Sequence, residues 1–180
     1  MMHEQQNLKQ KPNVRIPGYR FPHWVNNAEY FAVVPGEDLY KKISIVNENK
    51  WKVFYFYDRD FEANSLEQVL DFDKLSAEME ELNTVLYGVS QDSESCKLAW
   101  RKQEDALKSI KHTLIADVGN LLAQECGIVD VDTGITSRVA YIVSPFADIV
   151  YAVFCSDNVN IDAQEVLTKL KQFKKIIKDN

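Results

Sequence analysis

Two stretches rich in β-branched and aromatic residues, Trp51–Tyr57 and Thr84–Ser90, enclose a segment in which Leu66, Val69, Leu70, Leu75, Met79 and Leu82 recur at helical spacing. Switching from strand-type to helix-type periodicity and back makes a βαβ unit, which commits the chain to a sheet with helices packed on it. The elements that follow must build on that unit.

They continue the alternation. Ala99, Trp100, Leu107 and Ile110 form the inner stripe of a second helix, His112–Ala116 reads as a strand, and Gly119–Glu125 as a short helix stopped by Gly127. Arg138–Ser144 and Ile149–Phe154 flank the turn Ser144–Asp148 as a hairpin, and Asp162 with Glu165 forms a capping box that opens a last helix. On that helix Val166, Leu167, Leu170, Phe173 and Ile177 are expected inside, with Lys169, Lys171, Lys174, Lys175 and Lys178 solvated. The order β-α-β-α-β-α-β-β-α predicts an α/β, thioredoxin-like fold: a central mixed sheet flanked by helices, with an N-terminal extension. At 180 residues without a flexible linker the chain fits one core, over residues 13–180, behind a frayed polar tail at 1–12.

Charge excludes some partners. The formal net charge is −6 with acidic and basic residues interspersed, so no basic stripe exists to neutralise phosphates, and neither nucleic acid nor an anionic membrane is an expected partner. The longest apolar stretch, Val139–Cys155, is interrupted by Ser144, Pro145 and Asp148, and the polar N-terminus offers no signal-peptide core, which gives a cytoplasmic expectation. Cys96, Cys126 and Cys155 are odd in number and far apart, without Cys-x-x-Cys or metal-ligand spacing. The pattern excludes an ordinary thioredoxin and implies no metal or cofactor; His3, His23 and His112 are equally scattered.

The loop after the first strand carries the most specific signal. Phe56-Tyr57-Asp58-Arg59-Asp60-Phe61-Glu62-Ala63-Asn64-Ser65-Leu66-Glu67-Gln68 resembles the peroxiredoxin active-site motif Phe-Tyr/Trp-Pro-x-Asp-Phe-Thr-Phe-Val-Cys-Pro-Thr-Glu. Later landmarks fall in the same order: Leu86-Tyr-Gly-Val-Ser90 with Asp92-Ser93, Ala99-Trp100, Leu114-Ile-Ala-Asp117, and Ser137-Arg138-Val-Ala-Tyr-Ile-Val-Ser-Pro145. Over roughly residues 14–173 the chain is similar to the alkyl hydroperoxide reductase (AhpC/TSA) branch of the peroxiredoxins.

The resemblance assigns positions and shows substitutions. Ser65 stands where the family has its peroxidatic cysteine, Asp58 where it has the motif proline, Glu62 where it has the threonine, and Arg138 where it has the active-site arginine. The family's C-terminal tail with a resolving cysteine has no counterpart before Asn180. Peroxide reduction needs a thiolate, stabilised by a helix N-terminus and a nearby cation. A serine hydroxyl without a general base does not supply one. Ser65 with Gln68, or Asn64 with Glu67, instead fits a helix cap, and Arg138 is expected to pair with Glu62 first and Asp58 second.

Three functions compete on this reading. The leading one is a non-catalytic binding or regulatory pseudo-peroxidase, homodimeric through the edge strand at Ile149–Phe154, with mixed assembly with an active paralogue permitted. Ala63, in place of the motif aromatic, argues against the family's rings. The alternative is a hydroperoxide reductase or redox sensor using Cys96, which lies in a first helical turn beside Lys97 and Arg101 yet shares a face with Trp100 and Leu107. A chaperone-like holdase would require an exposed apolar patch and large oligomers.

Overall fold

A computed structural model describes residues 14–46, 49–156 and 158–178; the tail at 1–12, His3 and the Lys178 side chain lie outside the described residues. Seven strands form one mixed sheet in the order β2-β1-β5-β4-β3-β6-β7. They are β1 Glu29–Val33, β2 Lys41–Ser44, β3 Trp51–Phe56, β4 Thr84–Ser90, β5 Thr113–Ala116, β6 Arg138–Val143 and β7 Ile149–Cys155. The helices are α1 Ala63–Asp73, α2 Ser76–Glu81, α3 Glu94–Gln103, α4 Leu121–Glu125 and α5 Ala163–Lys178. This is the thioredoxin-like architecture with a central mixed sheet.

Strand β3 is central because every one of its residues is buried, with β4 parallel on one side and β6 antiparallel on the other. Its side chains alternate between two cores. Val53 and Tyr55 join Val69, Phe72, Met79, Trp100, Val166, Leu167 and Leu170 of the helices on one face. Phe54 and Phe56 join Phe21, Ile45, Tyr141, Leu122 and Ala123 on the other, which α4 and the N-terminal segment cover. Gly88 on β4 is required by close approach: a Cβ there would lie 2.4 Å from the Tyr55 hydroxyl oxygen and 2.8 Å from Leu114 Cδ2.

The structure departs from the sequence expectations at four points. The N-terminal extension contains β1 and β2, an antiparallel pair that extends the sheet beyond β5. Short, lysine-bearing β2 lacks the apolar density that would mark it as a strand. The helix expected across Leu66–Leu82 breaks between α1 and α2: Ser76 Oγ donates to the Asp73 carbonyl, and the Asp73 carboxylate accepts from the Lys111 amide and meets His112. The next helix ends at Gln103, where extended Glu104 starts a separate 3-10 turn that carries Leu107 inward. Ile177 is exposed rather than internal. Among the described residues no helix is long and apolar enough to cross a membrane.

Candidate functional site

The C-terminal end of β3 feeds a short loop into α1, and β6 begins beside it because Phe56 pairs with Val139. Arg138, the first residue of β6, is thereby brought under that loop and is almost fully buried. Its Nη2 donates to Asp58 Oδ1 at 2.7 Å, while Nη1 donates to Asn160 Oδ1 and, at 3.4 Å, to the Asn64 carbonyl. Ser65 Oγ donates to the same Asp58 oxygen at 3.2 Å, and Ser65 has no exposed surface.

Asp58, rather than Glu62, is therefore the partner of Arg138. Glu62 lies at the N-cap of α1, and its carboxyl is held above the ordinary value by what burial it has, then by the Asp58 charge and a hydrogen bond to Asp58, against the pull of Arg59 and Arg138. Two carboxyls thus share one end of the site and the guanidinium takes the inner one.

The expected Ser65 cap does not form. Helix α1 starts at Ala63, which makes Ser65 its third residue, and the N-cap residue Glu62 makes no side-chain capping bond. Gln68 is turned away to the segment before α5, where Ile161 N donates to its Oε1 at 2.6 Å and its Nε2 donates to the Ile161 carbonyl at 3.1 Å. Glu67 likewise accepts from Asn160 Nδ2 at 3.2 Å rather than closing a box with Asn64. Asn160 joins both Arg138 and Glu67, and it escaped the sequence reading because only tertiary packing brings its loop to α1.

A second cluster holds the loop from beneath. Asp60 and Lys97 are an ion pair at 3.1 Å with both side chains wholly inaccessible. The Tyr57 hydroxyl donates to Asp60 at 2.8 Å and accepts from Lys97 at 3.0 Å; Ser90 Oγ donates to Asp60 at 3.0 Å and also accepts from Lys97. Asp60 N donates to Asp92 at 2.7 Å. Burial, then the Asp60 charge, pushes the Tyr57 phenol well above its ordinary value, so it remains a hydroxyl able to donate. Phe61, which follows, has a φ of +63°, a left-handed conformation unusual for a bulky residue and maintained by this clamp.

Cys96 belongs to a different element from Asp58 and Arg138. It is the third residue of α3, its amide capped by Ser93 Oγ, and partly exposed. Burial and the charges of Asp60 and Asp92 raise its thiol above the ordinary value, and Lys97 only partly opposes them. The lysine expected to activate Cys96 is committed to Asp60 instead. Cys126 is buried, and Cys155 lies at the end of β7 opposite Arg138 in register. Among the described residues no group of three or more His, Cys, Asp or Glu side chains is arranged to hold a metal ion.

The comparisons with known proteins agree on one group. A model of the AhpC/TSA family matches residues 27–152. Alkyl hydroperoxide reductase C of Mycobacterium tuberculosis is 31% identical over 139 residues, covering 77% of this chain and 71% of that protein. Peroxiredoxin 1 of Brugia malayi is 30% identical over 148 residues, covering 79% and 64%. Among solved structures, AhpC of Enterococcus faecalis superposes with a TM-score of 0.80 at 27% identity, over 92% of this chain and 95% of that one.

Proposed function

The chain belongs to the AhpC/TSA family of peroxiredoxins, and from that premise we propose that it has lost the family's thiol-peroxidase chemistry and acts as a non-catalytic binding or regulatory protein. Ser65 occupies the motif position of the peroxidatic cysteine, Asp58 that of the proline and Glu62 that of the threonine. The observation that carries this reading is the 2.7 Å contact of Asp58 with Arg138. The cation that would stabilise a thiolate or polarise a peroxide is already neutralised from within the chain. Ser65 beside it is buried, and its hydroxyl is bound to that same carboxylate.

Cys96 is a weak replacement, since its environment disfavours the thiolate. Hydroperoxide consumption by the reduced protein with excess small-thiol reductant, run beside Cys96→Ser, tests both readings. No turnover above buffer in either is expected; turnover abolished by the substitution would move the function to Cys96.

The working assembly in this proposal is a cytoplasmic homodimer. Strand β7 is a sheet edge with half-buried apolar side chains suited to its own copy beyond Ile149, whose amide donates to the Tyr19 carbonyl and whose carbonyl accepts from the Gly18 amide. Ala63, where the motif has an aromatic residue, disfavours rings, and an active paralogue is a compatible partner.

A further inference from the structure

The opposite end of strands β3 and β6 holds a cleft of about 280 Å³, independent of the Asp58–Arg138 site. Its floor is apolar: Phe21 and Phe54 stack with ring centroids 4.1 Å apart and an interplanar angle of 15°, and Val143 lies beside them, all buried. Lys52 breaks that surface. It points to the same face as Phe54 by strand alternation, opposite Val143 in register, and is 94% buried by its 6% exposure.

The Lys52 ammonium donates to the Lys50 carbonyl at 3.0 Å, which uses one of its three donors. Among the described residues no carboxylate lies within ion-pair distance of it. Burial pulls its titration below the ordinary lysine value. A partly buried ammonium lining an apolar cleft, with two donors unpartnered among the described residues, is a poorly satisfied group.

The rim adds to this field. Arg20, which donates to the Phe146 carbonyl at 2.8 Å, and His23, whose Nδ1 is 3.1 Å from the Phe21 carbonyl, face the opening. Asp148 is the one acidic side chain among the described lining residues, against Lys52 and Arg20. The Phe146 ring, 75% exposed, stands at the edge without cover.

We propose that this cleft binds a small carboxylic acid with an aromatic body, its carboxylate on Lys52 and its ring between the Phe21–Phe54 stack and Phe146. The size is at the small end of ligand cavities, which favours a single-ring acid. A charge-assisted bond to a desolvated ammonium would fix the orientation, and the aromatic floor would select against bare inorganic anions.

The test is a titration of the full, isotope-labelled chain with benzoate, followed by amide NMR, beside benzamide and inorganic phosphate. Saturable shifts centred on Ile45, Phe54 and Val143 are expected, with benzamide weaker by about tenfold or more. Lys52→Met, which keeps the side-chain volume, is expected to lose the same factor, and Phe146→Ala to weaken benzoate by several-fold. Absence of saturation at tens of millimolar benzoate, equal binding of benzamide, or unchanged binding by Lys52→Met would overturn the site. Phosphate binding as tightly as benzoate would overturn the ligand class. The benzamide comparison is made on the unaltered chain, so a variant that fails to fold does not remove the test.

Discussion

Lys97 Nζ lies 3.1 Å from Asp60 Oδ1 with neither side chain reaching water, and the pair fastens α3 to the loop between β3 and α1. Removing one partner strands the other as a buried charge, which costs far more than the pair itself contributes. Lys97→Met is therefore expected to destabilise the protein by about 3–5 kcal/mol, with Asp60→Asn together with Lys97→Met recovering part of the loss. Urea unfolding of the two variants checks this; a single-variant loss under about 1 kcal/mol would show that water reaches the pair.

Ser65→Cys is expected not to restore peroxide turnover. The new thiol would lie beside Asp58, with Glu62 next to it, and Arg138 is already paired. Its alkylation by iodoacetamide as a function of pH should report a thiol above the ordinary value of about 8.5. Family-like turnover by this variant would remove the basis for calling the site inactive.

Acid stability should depend on Asp73. Partial burial raises its carboxyl, but the His112 hydrogen bond at 2.7 Å and the Lys111 amide outweigh that and leave it below the ordinary value. A carboxyl that titrates lower when folded than unfolded contributes stability that is complete above the unfolded value, about 3.9, and drains as pH falls through the folded one. The stability difference between the parent and Asp73→Asn is thus expected to be largest at neutral pH and to shrink below about pH 4, measured by urea unfolding across that range.

Gly88→Ala should lose about 1–3 kcal/mol, the usual range for overpacking. The added methyl collides with the Tyr55 ring, whose hydroxyl is 2.7 Å from His112 Nε2 and so extends to Asp73. Thermal unfolding measures the loss. Weakened acid sensitivity in the same variant would show that the ring moved rather than Leu114.

The purified chain is expected to sediment as a dimer. Ala152→Lys on β7, opposite Tyr141, should shift it toward the monomer with unchanged circular dichroism. A parent that sediments as a monomer at all concentrations would refute pairing through this edge.

Which features could be read from the sequence follows from the range of the forces. Strand β4 forms over Thr84–Ser90 as its residues indicate, and β7 lies at the edge, because strand type and hairpin order are local properties. Asp58, Ser65 and Arg138 do meet, since the ordered landmarks carry the fold and the fold carries their positions. The choice between Asp58 and Glu62 was not legible: it depends on which carboxylate the loop turns inward, and that is decided by the left-handed Phe61 and the Asp60 clamp. Lys97 gave no sign of burial, because a lysine in a charged helix reads as surface until its partner on another element is known. The roles of Gln68 and Asn160 are hidden for the same reason, as their bonds to Ile161 and Arg138 exist only in the assembled molecule.

The segment from Asp58 to Gln68 contains no sulfur atom. Peroxide has nothing there to oxidise, and the internal Asp58–Arg138 pair holds its place without any change of oxidation state. The loop's own shape is therefore set at folding rather than by a redox step within it, even though Cys155 lies opposite Arg138 on the neighbouring strand. Any partner that docks against the loop itself meets a constant surface rather than a signal.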